Sequence, residues 1–149
     1  MKKILLSLFL LCASLIASEK QKVCLNMIVK NESAVVKRSL GSVKPIIDYW
    51  VIVDTGSTDG TQEIIKEFMK EIPGELHERP WVNFEHNRNE ALQLAKGKAD
   101  YTLFIDADEE LVYDKEFALP NLDKDFYYLT TEHGDTYYET IQLINDHLN

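Results

Sequence analysis

Three short polar clusters hold the residues of this chain that could do chemistry. Asp106 and Asp108 stand two apart in Asp106-Ala107-Asp108-Glu109-Glu110, directly after the apolar run Leu103-Phe104-Ile105. Carboxylates in that pattern suit a hard divalent cation, Mn²⁺ or Mg²⁺, which binds through one or two carboxylates together with substrate phosphates. Such a cation would clamp a diphosphate and neutralise the charge that builds on it as it leaves. An isolated Asp-x-Asp pair reads more readily as a solvated acidic turn; its place straight after a buried run is what points to a site. The second cluster, Asp54-Thr55-Gly56-Ser57-Thr58-Asp59-Gly60-Thr61, follows the apolar stretch Tyr49 to Val53. Gly56 and Gly60 let the backbone turn sharply. Asp59 can cap the next helix, and Asp54 is a carboxylate able to accept a hydrogen bond from the N–H of a base. Turn and cap chemistry accounts for Asp59 and Gly60 and leaves Asp54 poorly explained. The third cluster is Lys30-Asn31-Glu32, after the run Val23 to Val29. Ending three buried strands in charge is costly unless the charges are solvated or bind something.

These clusters need elements to position them, and the apolar pattern supplies alternating short runs and amphipathic stretches. Strands are expected over Val23 to Val29, Tyr49 to Val53 and Tyr101 to Ile105, with a short one over Leu76 to Arg79. Helices are expected over Ser33 to Val43, Thr61 to Lys70 and Glu85 to Ala95. Asn31 or Ser33 could cap the first; Asp59 with Gln62 resembles a capping box for the second; Gly97 closes the third. Phe126 to Thr131 and Tyr137 to Ile144 read as two strands joined by the tight turn His133-Gly134-Asp135. Strand and helix in alternation argue for an α/β domain, a parallel sheet with helices on its faces. Ligands of such sheets bind beyond the carboxyl ends of the strands, where the three clusters fall.

The 149 residues are 45% hydrophobic and 28% charged, a globular composition sufficient for one modest core. The net charge of −9 repels a nucleic acid backbone, so no nucleic acid partner is expected. Acidity leaves room for a phosphate-bearing small ligand, provided a divalent metal mediates the contact. Residues 1–18 begin with Lys2 and Lys3, run through the apolar stretch Ile4 to Ala17 and end in small residues, as a signal peptide does. An uncleaved membrane anchor or a misassigned start is the alternative, and residues 19–149 form the domain proper. The location follows from the leader: secretory or membrane-associated if it is a signal, cytoplasmic otherwise. Cys12 lies in the leader, which leaves Cys24 alone in an apolar run, a small buried hydrophobe.

The strings Met27-Ile28-Val29-Lys30-Asn31-Glu32, Val51-Ile52-Val53-Asp54-Thr55-Gly56-Ser57-Thr58-Asp59-Gly60-Thr61, Arg88-Asn89-Glu90-Ala91-Leu92 and Leu103-Phe104-Ile105-Asp106-Ala107-Asp108-Glu109-Glu110-Leu111 together resemble glycosyltransferase family 2. Each string is moderately specific; all four in this order and spacing are highly specific, and the likeness runs from about Val23 to about Ile144. The resemblance implies a GT-A fold, a Rossmann-like nucleotide-sugar-binding sheet with helices on both faces, here incomplete at its C-terminal end. It also implies metal-assisted, inverting transfer of a sugar from a nucleotide diphosphate sugar to an acceptor that is a glycan, a lipid or a protein. By the same resemblance Asn31 and Glu32 border the nucleotide, Asp54 reads the base and Arg88 helps hold the nucleotide. Asp106 lies near the ribose and the metal, and Asp108 ligates the metal. For Arg88 the alternative is a surface ion pair with Glu85 or Glu90.

Inversion needs a general base, which the family carries in a later half that is expected beyond residue 149. Glu109 and Glu110 match no such role. Two other readings stay open: a non-catalytic remnant that binds a nucleotide-sugar without transferring it, and a phosphate-handling domain such as a nucleotidyltransferase, which would want a glycine-rich basic loop where Lys30-Asn31-Glu32 stands. Trp81 and Phe84 are expected to pack in the core. The four histidines lack metal-ligand spacing, and Tyr127, Tyr128, Tyr137 and Tyr138 are expected to alternate between the faces of a hairpin.

Overall fold

The computed structural model describes residues 20–148. The leader read in residues 1–18 lies outside them, and among the described residues no helix is long and apolar enough to cross a membrane. The elements are β1 (Val23–Val29), α1 (Val36–Val43), β2 (Tyr49–Asp54), α2 (Thr61–Met69), β3 (Gly74–Glu78), α3 (Phe84–Ala95), β4 (Tyr101–Phe104), β5 (Phe126–His133) and β6 (Thr136–Asn145), followed by one 3₁₀ turn.

One six-stranded sheet carries the order β3-β2-β1-β4-β6-β5. β1 pairs in parallel with β2 (Cys24 opposite Tyr49) and with β4 (Val23 opposite Tyr101), and β2 pairs in parallel with β3 (Trp50 opposite Gly74). The sheet is therefore parallel over four strands only. β6 runs antiparallel to β4 and β5 antiparallel to β6. The hairpin has a two-residue loop, Gly134-Asp135, in which Gly134 takes the left-handed φ of 59° that such turns require.

Side-chain alternation along β1 sorts the core. Val23, Leu25, Met27 and Val29 face α1 and α2, where they meet Val36, Leu40, Val43, Ile65 and Met69. Cys24 faces the other way with Val51, and Ala95 of α3 closes over them. Helices thus cover both faces of the parallel part, as the α/β reading requires. Each of these aliphatic side chains is essentially free of solvent, which contributes about 1.5–3 kcal/mol apiece. Asn26 sits in the middle of β1 with no exposure, and its amide donates to the Ala91 carbonyl of α3 at 2.9 Å. That bond fixes α3 against the sheet.

Helix starts differ from expectation. α1 begins at Val36 rather than Ser33, because Asn31 and Ser33 are engaged elsewhere: the Asn31 side chain accepts the Thr58 N–H at 2.8 Å and the Ser33 N–H donates to Asp59 at 3.0 Å. Asp59 also holds Thr61, through its N–H and its hydroxyl, so no capping box with Gln62 forms. Gly60, with φ of 89°, is the residue that opens α2. β3 starts earlier than expected, at Gly74, which lies against the Trp50 indole.

Candidate functional site

The four parallel strands deliver their carboxyl ends to one edge of the sheet. In spatial order that edge carries Glu78 of β3, Asp54 of β2, Val29 of β1 and Phe104 of β4, each followed by its loop. The β1 and β2 loops are stitched together. Thr55 donates its N–H and hydroxyl to the Val29 carbonyl, the Asn31 N–H donates to the Ser57 hydroxyl, and the Glu32 N–H donates to the Thr61 hydroxyl at 2.8 Å. Asn31 takes a φ of 58°, a left-handed conformation that Asn tolerates better than most residues.

Asp54 is 1% exposed. Its Oδ1 accepts the N–H groups of Gly56 at 2.9 Å and Ser57 at 2.8 Å, which shapes the loop. Its Oδ2 is buried with no hydrogen-bond partner among the described residues. A buried carboxylate oxygen left unpaired is costly, so it marks a position from which a ligand N–H could be bound.

A cleft of about 360 Å³ opens over the strand ends, lined by Ile28, Val29, Lys30, Glu32, Thr55, Trp81, Phe84, Asp106, Ala107 and Asp108. Glu32, Asp106 and Asp108 therefore share one cleft, and Thr55 on its lining directly follows the buried Asp54. Burial pushes the Glu32 carboxyl up from its ordinary value, and repulsion from Asp108, Asp59 and Asp106 adds to the effect. Asp59 is held low by its bonds to Thr61 and Ser33. Among the described residues no three His, Cys, Asp or Glu side chains gather closely enough to hold a metal on their own.

Arg88 pairs with Asp106, Nη2 to Oδ1 at 2.7 Å, and not with Glu85 or Glu90. Glu90 is taken by Arg79 at 2.8 Å. The Arg88 side chain is only 16% exposed, its Nη1 is buried without a partner among the described residues, and its guanidinium lies 5.4 Å from the Phe84 ring and 5.8 Å from the Phe104 ring. The alternative of a surface ion pair for Arg88 is thus corrected: residues distant in sequence supply the partner. Asp106 is further fixed through its backbone, its N–H donating to Glu109 and its carbonyl accepting the Ser39 hydroxyl.

Trp81 and Phe84 do not pack in the core. They are 48% and 60% exposed and line the cleft. Their spacing around Asn83, which caps α3 by accepting the His86 N–H at 2.8 Å, was the available signal. A helix that starts at Phe84 turns its first residues toward the strand ends instead of the sheet face. A second, larger cleft of about 900 Å³ lies on the other side of the acidic loop, between Asp106–Val112 and the β5–β6 hairpin, with Tyr137 and Tyr138 on its wall. The two clefts meet at Asp106 and Asp108. His77 bonds Glu75 and His147 lies by Asp125, structural roles away from the clefts.

Four parallel strands with helices on both faces, a carboxylate-lined cleft across their ends and an acidic loop after the last of them define an α/β domain of the Rossmann-like GT-A fold. The sequence model of Glycosyl transferase family 2 matches residues 24–125, and the chain belongs to that family. It is 32% identical over 123 residues to an uncharacterized glycosyltransferase of Rickettsia prowazekii, a match covering 83% of this chain and 38% of that protein. It is 40% identical over 91 residues to a TPR repeat-containing protein of Synechococcus elongatus, covering 61% of this chain and 21% of the relative. The SunS glycosyltransferase of Bacillus subtilis is 34% identical over 100 residues, 66% of this chain and 22% of that protein. The chain thus spans well under half the length of these relatives. Among solved structures, Staphylococcus aureus TarS residues 1–349 superpose with a TM-score of 0.51 at 23% identity, covering 60% of this chain and 28% of that one. The same protein in complex with UDP-GlcNAc gives a TM-score of 0.50 at 24% identity, covering 59% and 27%. These likenesses place the fold.

Proposed function

We propose that this chain binds a nucleotide diphosphate sugar in the smaller cleft and belongs to a glycosyltransferase that passes the sugar, with inversion, to an acceptor. One observation carries the reading. Asp106 and Asp108 line one strand-end cleft after β4, and Thr55, which lines the same cleft after β2, follows Asp54, whose buried Oδ2 has no partner among the described residues, an arrangement that suits a ligand with a base at one end and a diphosphate at the other. UDP-GlcNAc bound to the similarly folded TarS supports it.

The residues present fit a divalent cation. Their donor atoms are all carboxylate oxygens, the preference of Mg²⁺ and Mn²⁺, and the repulsion that raises Glu32 is relieved by a cation beside it. Asp108, whose carboxylate has no partner among the described residues, and Asp106, one oxygen of which stays with Arg88, would hold the ion. When bound, it supplies the positive charge that stabilises the departing diphosphate. Asn31 and Glu32 border the nucleotide from the β1 side. Arg88 acts through Asp106, holding that carboxylate in place. The larger cleft, which reaches the same acidic loop from the hairpin side, is the approach for the acceptor. No residue is assigned as general base: Glu109 is bonded to the Asp106 N–H and to Gln142.

Calorimetric titration of the full chain with a nucleoside diphosphate, with Mn²⁺ and with chelator, tests this. Binding is expected with the metal, and loss of at least tenfold in affinity with chelator or in Asp108→Asn. Equal affinity with and without chelator refutes the metal role, and absence of binding under both conditions refutes the donor site.

A further inference from the structure

Trp81 and Phe84 stand at the mouth of the donor cleft, and the carboxylate chemistry uses neither. Exposed aromatic rings are ordinary on protein surfaces; what distinguishes Trp81 is how its backbone is held. The segment from Arg79 to Asn83 has no regular structure, yet both sides of Trp81 are fixed by one buried side chain. Asn87, with no exposure, accepts the Val82 N–H at 2.9 Å and donates to the Pro80 carbonyl at 3.0 Å. Upstream, the Arg79 N–H donates to the Asp54 carbonyl at 2.9 Å, and the Arg79 guanidinium bonds Glu90. A buried asparagine and a salt bridge thus hold still a loop whose large ring is left half in water.

The order of the strand ends says what that ring would meet. A diphosphate at Asp106 and Asp108 lies over β4, and a base reading Asp54 lies over β2. The ligand crosses β1, and its base end arrives beside the β3 end, from which Trp81 projects. Phe84, whose ring contacts the Arg88 guanidinium that holds Asp106, continues the apolar wall from Trp81 toward the phosphates.

We infer that Trp81 is the stacking face for the nucleobase of the donor, with Phe84 extending that wall toward the diphosphate; the inference rests on the reading of this cleft as a nucleotide diphosphate site. Every base offers a π-face, so the ring contributes affinity for the base as such, and discrimination among bases falls to Asp54.

The chain has two tryptophans, and Trp50 is buried at 6% exposure. Emission accessible to iodide is therefore that of Trp81. In the full chain with excess Mn²⁺, UDP and the other common nucleoside diphosphates should quench this emission and shield it from iodide, while inorganic pyrophosphate, which has no base, should not. Trp81→Ala should weaken nucleoside diphosphate binding about tenfold or more and leave pyrophosphate binding unchanged, and Trp81→Phe should restore most of the loss. A Trp81→Ala chain that binds nucleoside diphosphate within twofold of wild type, or emission that ignores saturating nucleotide, overturns the stacking role while the donor site stands. A wild-type chain that binds neither nucleotide nor pyrophosphate overturns the donor site and the stacking role together.

Discussion

Asp54→Asn separates the shape of the β2 loop from its chemistry. In the wild type Oδ1 accepts two backbone N–H groups, from Gly56 and Ser57, and Oδ2 is buried and unpaired. The asparagine carbonyl must keep the Oδ1 place, because a flipped amide would set its NH₂ against those two donors. The two loop bonds become neutral and lose about 1–2 kcal/mol in total, and exchange of the unpaired charged oxygen for an equally unpaired but neutral NH₂ returns a comparable amount. The fold should therefore melt within a few degrees of wild type. Binding behaves differently. An amide NH₂ now meets the base N–H, so one bond to a charged acceptor is lost and two donors are left facing each other, about 3–4 kcal/mol in sum or a factor of ~10²–10³ in affinity. Calorimetry with a nucleoside diphosphate and with pyrophosphate, beside thermal melts, reads both quantities. Full nucleotide affinity in a normally folded Asp54→Asn chain refutes base reading by Asp54. A melt that falls by ten degrees or more refutes the loop accounting.

Gly74→Ala should destabilise by about 2 kcal/mol or more, because the added Cβ would lie 2.2 Å from the Trp50 ring in a core where overpacking typically costs ~1–3 kcal/mol. Relief by moving the indole would break its N–H bond to the Ile72 carbonyl; an unchanged urea midpoint would contradict this. Glu75 accepts from Lys98 and Tyr49 and contacts His77, which holds its carboxyl down at about 2 against an ordinary 4.5. Its folded-state value is depressed, so its contribution is present in full above pH 4.5 and is lost as the pH falls toward 2. Melting temperature followed over that range should fall more steeply in wild type than in Glu75→Gln, and parallel curves would rule the cluster out as a source of acid sensitivity.

β1, β2 and β4 were legible because each is a largely apolar run with a polar cluster after it, and that same punctuation exposed Asp54, Asp106 and Asp108 as candidates. Side-chain partners between distant loops were not legible. Asn31, Ser33 and Asp59 look like local caps, and local spacing cannot reveal that they bond across the β1 and β2 loops and push the start of α1 to Val36. Arg88 has acidic neighbours within one helical turn, and its partner Asp106 is identified only once β4 lies beside β1. Trp81 and Phe84 have core-forming composition, and their exposure follows from where α3 begins. The antiparallel attachment of β6 to β4 likewise depends on the pairing of Leu103 with Leu143, which no local pattern encodes.

The central place of β1 sets an order of assembly. β1 is made first and is bonded along both edges, yet only the β2 edge can be filled early. Its other edge waits for β4, roughly seventy residues later in the chain, an interval of several seconds at ~5–20 residues per second of synthesis. Throughout it, Val23 to Val29 presents an apolar strand with an open row of N–H and C=O groups, the kind of edge that recruits foreign strands. A nascent chain halted before Tyr101 should accordingly be aggregation-prone and gain protection only when β4 emerges.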